Sequence, residues 1–72
     1  MNNYVHVEQW FFTRPNGSRH LLKDVEDVRK ALKEGKPVFA LTSTGTTTPP
    51  IEKILLNGRK FRVLGGSEYR IV

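Results

Sequence analysis

Apolar and β-branched side chains crowd the stretch from Tyr4 to Phe12, and Val5, Val7 and Phe11 share one alternation parity, the pattern of a strand with one face buried. Arg14-Pro15-Asn16-Gly17-Ser18 follows with strong turn chemistry, because proline fixes its own φ and Asn-Gly accepts positive φ at little cost. A return strand, Arg19 to Leu22, is therefore predicted. The period then changes: Val25, Val28, Ala31 and Leu32 fall at helical spacing. Asp24 is placed to accept from the first free amides, Asp27 adds negative charge near the positive end, and Glu26 precedes Lys30 in the favourable i,i+4 orientation. Gly35 and Pro37 end this helix. At about ten residues it is too short to stand alone, so its apolar stripe must pack on a sheet.

Val38 to Thr42 is a compact apolar run suited to a buried strand. Ser43 to Pro50 has no apolar anchor and ends in paired prolines, so it reads as an exposed loop or an irregular edge. Ile51 to Leu56, then Asn57-Gly58, then Arg59 to Leu64 is a hairpin, since a two-residue Asn-Gly turn matches strand twist. That turn sets Leu55 opposite Lys60, Ile54 opposite Phe61, Lys53 opposite Arg62 and Glu52 opposite Val63. A three-residue loop over Gly65-Gly66-Ser67 then sets Val63 opposite Tyr69 and Phe61 opposite Ile71. The fold class predicted is α+β: a small, mainly antiparallel sheet in the order ββαβββ with one short helix packed on one face, formed by residues 1–72 as a single domain.

This register has a chemical consequence. With Ile54, Phe61, Val63, Tyr69 and Ile71 turned to the helix, Lys53, Lys60, Arg62 and Arg70 face away, and Lys53, Arg62 and Arg70 form one row across three strands. Like charges directly opposite one another destabilise a sheet, so the row reads as a site for an anionic partner, against the plainer reading of a solvated face. In the first hairpin, a two-residue Asn16-Gly17 turn sets Arg14 opposite Arg19, Phe12 opposite Leu21 and Phe11 opposite Leu22. Both faces of that ribbon are then apolar. One carries Val5, Val7, Phe11 and Leu22; the other carries Tyr4, Trp10, Phe12 and Leu21, which one short helix leaves for a second layer, a second copy in a homodimer, or a partner.

Charge agrees with an anionic partner. Twelve Lys and Arg against seven Asp and Glu give a net charge of +5, spread over both halves of the 72 residues. Such a balance fits nucleic acid, an acidic protein surface or an anionic membrane, of which the first two are expected as partners and a membrane is not. The absence of cysteine rules out disulfides and thiol chemistry and fits a cytoplasmic setting. No apolar run is long enough to span a membrane, and the first residues lack a signal-peptide pattern, which also discounts the Asn16-Gly17-Ser18 sequon. His6 and His20 have no ligand-spaced neighbours, the carboxylates are scattered, and Ser18, Ser43 and Ser67 lack a nucleophile-elbow context, so neither metal, cofactor nor catalysis is expected.

The sequence thus reads as a non-enzymatic nucleic-acid-binding module that neutralises phosphates through Arg14, Arg19, Lys53, Lys60, Arg62 and Arg70. The competing reading is a small accessory or inhibitory factor, of the sort mobile elements carry, that docks Tyr4, Trp10, Phe12 and Leu21 on a larger protein or on a second copy.

Overall fold

The computed structural model describes residues 3–72. The chain runs through β1 (Tyr4–Val5), β2 (Val7–Thr13), β3 (Arg19–Leu22), α1 (Val25–Lys33), β4 (Val38–Thr42), β5 (Ile51–Leu55), β6 (Lys60–Val63) and β7 (Glu68–Ile71). This is the α+β class predicted, with one helix and mainly antiparallel pairing, in roughly the ββαβββ order. The strands divide between two sheets rather than one. The first has the order β1-β7-β6-β5, with β1 parallel to β7; the second has the order β3-β2-β4. The predicted first strand is broken at His6, which lets its two parts serve different sheets.

The core lies where both sheets and the helix meet. Val28 and Ala31 of α1, Val38 and Ala40 of β4, Ile51 and Ile54 of β5, and Phe61 and Val63 of β6 are its buried members. Trp10, Phe12, Leu22, Tyr69 and Ile71 pack around them half-buried. Asp24 Oδ1 accepts from the Asp27 amide at 3.0 Å, and Asp27 Oδ2 accepts from the Lys23 amide at 3.2 Å, so two donors at the helix start are satisfied reciprocally. At the other end, the Lys36 amide bonds to the Ala31 carbonyl and the Gly35 amide to the Leu32 carbonyl, which closes the helix at the glycine predicted to stop it. Glu26 pairs with Arg29 at 3.0 Å, one residue short of the Lys30 partner predicted.

Two bulges decide which side chains face inward. An extra residue at Glu8 in β2 sets Val7 opposite Thr42 but Gln9 opposite Leu41. Alternation therefore reverses at that point. Val7, Trp10 and Phe12 join the core, and Phe11, predicted to share a face with Val7, turns to the far side. In β5 the extra residue is Glu52, which brings Ile51 rather than Glu52 opposite Val63 and lets two isoleucines three positions apart both reach the core.

Both flanking turns depart from the predicted register. The first hairpin closes with the Arg14 amide on the Ser18 carbonyl, so three residues, Pro15 to Gly17, form the loop, with Gly17 at φ 86°. Asn16 Oδ1 accepts from both the Ser18 amide and its hydroxyl, which holds this longer loop in place. The pairs become Thr13 with Arg19, Phe12 with His20, Phe11 with Leu21 and Trp10 with Leu22. The last loop is three residues long, as predicted, but it covers Leu64 to Gly66, because the Val63 amide bonds to the Ser67 carbonyl. Phe61 therefore lies opposite Tyr69, and the rings stack at 5.4 Å. The Asn57-Gly58 turn keeps its predicted pairs Leu55 with Lys60, Ile54 with Phe61 and Lys53 with Arg62.

Candidate nucleic-acid interface

Strand alternation buries Ile54, Phe61 and Val63 and so turns Lys53, Leu55, Lys60, Arg62, Glu68 and Arg70 to the outer face of the first sheet. Register arranges them in two rows. One reads Lys53, Arg62, Glu68; the other reads Leu55, Lys60, Arg70, Tyr4. The face gathers four of the six basic residues predicted to contact phosphate. It also corrects the predicted row, in which Arg70 stood beside Arg62. Starting the loop one residue earlier puts Glu68 in that place, and a carboxylate between cations removes the like-charge conflict a third cation would create.

Glu68 is the electrostatic centre of the face. It meets Lys60 Nζ at 2.7 Å and Arg62 Nε at 3.0 Å, while Glu52 meets Arg62 at 3.4 Å. Lys60 first and Arg62 second hold the Glu68 carboxyl below its ordinary range, and burial opposes them. The same contacts, Glu68 before Glu52, hold the Arg62 guanidinium above its already high value. Lys53 and Arg70 have no carboxylate partner among the described residues. Four cations against Glu52 and Glu68 leave the face with a formal excess of two positive charges.

Arg59 extends this surface, although sequence reasoning did not single it out. It lines a groove of about 390 Å³ together with Leu56, Asn57, Arg70 and Ile71, and its carbonyl accepts from the Ile71 amide at 2.8 Å. It too lacks a carboxylate partner among the described residues. Only the pairing of β6 with β7 brings Arg59 beside Arg70, and that pairing was mis-set by two residues in the sequence reading.

Arg14 and Arg19 lie elsewhere, on the hairpin of the second sheet. Arg14 is tied to Ser18 Oγ at 3.1 Å and to His20 Nδ1 at 2.8 Å. Arg19 lies over the Phe11 ring at 4.3 Å, an arrangement that uses its charge against the ring quadrupole. The aromatic set predicted for an interface is also divided. Trp10 meets Phe61 edge-on at 5.5 Å within the core, and Phe12 sits between His20 at 4.7 Å and Lys36 Nζ at 4.4 Å. Of the four, Tyr4 at 59% and Leu21 at 58% are exposed. Leu21 now lies in a row with Phe11 and Phe39 on the outer face of the second sheet, because the one-residue register shift moved it there.

Among the described residues no three His, Asp or Glu side chains gather as a metal site, and no helix is long and apolar enough to cross a membrane. Comparison of the chain with models of known protein families, with characterised proteins and with solved structures finds no match.

Proposed function

We propose that the protein binds single-stranded nucleic acid across the outer face of the β1-β7-β6-β5 sheet. The observation that carries this reading is the row Tyr4, Arg70, Lys60, which sets an exposed aromatic ring beside cations on neighbouring strands. Cations neutralise phosphates and a tyrosine offers a π-face to an unpaired base, the pairing of features that a strand without fixed sequence requires. Arg70, Lys53 and Arg59 make the phosphate contacts, Lys60 and Arg62 join as they exchange carboxylate for phosphate, and Tyr4 stacks. Arg14 and Arg19 are engaged within their own hairpin and are left out of this interface.

Anisotropy of a labelled single-stranded oligonucleotide tests the reading. Wild-type protein gives saturable, salt-sensitive binding. A Lys53→Glu, Arg70→Glu variant loses it while remaining folded, and Tyr4→Ala weakens it by about tenfold. Flat titrations at low salt, or unchanged affinity in the charge-reversed variant, end the nucleic-acid reading.

Leu21, exposed on the outer face of the second sheet with half-buried Phe39 in the same row and Phe11 buried between them, favours a second reading, in which the protein is an accessory factor or a homodimer docking through the second sheet. Leu21→Asp then abolishes self-association in sedimentation velocity, or capture of a protein partner, and leaves oligonucleotide binding intact.

A further inference from the structure

Beside Tyr4, at the seam between the two sheets, lies a cavity of about 550 Å³ bounded by β1, His6, the loop after β4, and Tyr69. Its volume is in the range of small-ligand sites. Its lining contains no Lys, Arg, Asp or Glu. His6 is the one imidazole of the lining and no permanently charged side chain joins it, so the ligand chemistry that fits best is neutral and polar.

The hydroxyl groups make the demand more specific. Thr42, a buried side chain at 8% exposure, has its Oγ1 at 2.9 Å from Thr44 Oγ1 and 2.7 Å from Thr46 Oγ1, while Thr44 and Thr46 hydroxyls lie 3.2 Å apart. Thr42 Oγ1 also lies 3.1 Å from the Thr46 carbonyl oxygen. Each hydroxyl has one proton and two lone pairs. Three protons serve four close contacts, so the cluster can take up every proton internally, and its lone pairs outnumber its protons two to one. Lone pairs remain to face the cavity. The cluster is an acceptor site and calls for a ligand that donates.

We propose that this cavity receives an amino-bearing nucleobase from a strand whose phosphates lie on Arg70 and Lys60. The inference rests on the nucleic-acid reading above and names the base that reading would favour. Tyr4 links the two regions: it lines the cavity and is the cross-strand neighbour of Arg70, whose amide donates to the Asn3 carbonyl at 2.7 Å. Cytosine, adenine and guanine carry exocyclic amino donors, and cytosine is the smallest of the three. Thymine presents its single N–H between two carbonyl groups, whose lone pairs would face those of the threonines, so it is the base disfavoured.

The test compares three labelled oligomers of equal length: oligo(dC), oligo(dT), and a deoxyribose-phosphate chain without bases. Wild-type protein binds oligo(dC) about tenfold more tightly than the abasic chain and more tightly than oligo(dT). A Thr44→Val, Thr46→Val variant keeps its salt dependence and loses the preference for oligo(dC); Thr42 retains the Thr46 carbonyl as partner, and an amide correlation spectrum checks the fold. Equal binding of oligo(dC) and the abasic chain, or a variant that still prefers oligo(dC), overturns the cavity assignment and leaves phosphate binding standing. If no oligomer binds, the nucleic-acid reading fails on its own, and cytidine alone is titrated. Amide shifts confined to residues 42–48 then retain the cavity as a nucleoside site, and their absence rejects it.

Discussion

Glu68→Gln is expected to strengthen single-strand binding and steepen its salt dependence. In the wild type, Lys53, Arg59 and Arg70 are the cations of this surface with no carboxylate partner among the described residues, while Glu68 holds Lys60 and Arg62. For single strands the logarithm of affinity falls with the logarithm of salt by about 0.7 per phosphate neutralised. Three available cations correspond to a slope of about −2.1. The substitution releases Lys60 completely but leaves Arg62 against Glu52 at 3.4 Å, so one cation is gained and the slope becomes about −2.8. Between 50 and 200 mM salt the wild type loses about 18-fold in affinity and the variant about 50-fold. Anisotropy titrations at four or five salt concentrations resolve that difference. Adding Glu52→Gln frees Arg62 and carries the slope to about −3.5. A variant whose slope matches the wild type, or whose low-salt affinity falls, shows that Lys60 does not reach phosphate, and the assignment of this face is then wrong.

Three further outcomes follow from the same geometry. Gly58→Ala should destabilise the fold by about 1–2 kcal/mol from its φ of +91° alone, with more from a Cβ only 3.1 Å from Val25 Cγ1; an unchanged urea midpoint contradicts this. Leu56 holds φ at 50° while 53% exposed, so Leu56→Asn should stabilise by about 1 kcal/mol or less, read as a rise in Tm, and a fall shows that the leucine's contacts outweigh its backbone strain. The depressed Glu68 carboxyl contributes stability that is present above the ordinary carboxylate value of 4.5 and is lost as pH falls through the lower folded value. Urea midpoints of the wild type should therefore drop more between pH 6 and pH 3 than those of Glu68→Gln, and parallel profiles would count against the ion pair.

Local signals carried most of the fold. Asp24, Gly35 and the spacing of Val25, Val28, Ala31 and Leu32 each act within one or two helical turns, and the helix forms where they place it. Asn57-Gly58 likewise set its pairs without help from distant residues. The errors arose where one extra residue changes everything beyond it. The bulge at Glu8 has no mark in the alternation pattern, because both Val7 and Phe11 are apolar whichever way they face. Pro15-Asn16-Gly17 suits a two-residue or a three-residue loop, and the bonds from Ser18 to Asn16 Oδ1 that select the longer one depend on side-chain geometry. The last loop was mis-set by one residue, which moved the pairing by two, so inward and outward parity survived and only the neighbours within each row changed. The basic face was therefore legible as a face, whereas the role of Glu68 within it was not.

That role bears on function, because the same carboxylate acts in opposite directions on folding and on binding. Glu68 relieves repulsion between Lys60 and Arg62 in the free protein, and it must be displaced before either contacts phosphate. A face selected only for solubility would gain from carboxylates spread among all its cations. Instead both carboxylates converge on Arg62, one of them also on Lys60, while Arg59 and Arg70 stand together on one groove with none among the described residues. Two of the three cations without a carboxylate partner among the described residues thus stand together where β6 meets β7, next to the exposed Tyr4 ring, and the third, Lys53, lies on the far edge strand β5. A strand that enters beside Tyr4 meets free cations and an aromatic surface first, and the ion-paired residues only as it extends toward Arg62. Binding should accordingly begin with short oligomers at Arg59, Arg70 and Tyr4, and gain affinity with length only as Lys60 and Arg62 are drawn away from Glu68.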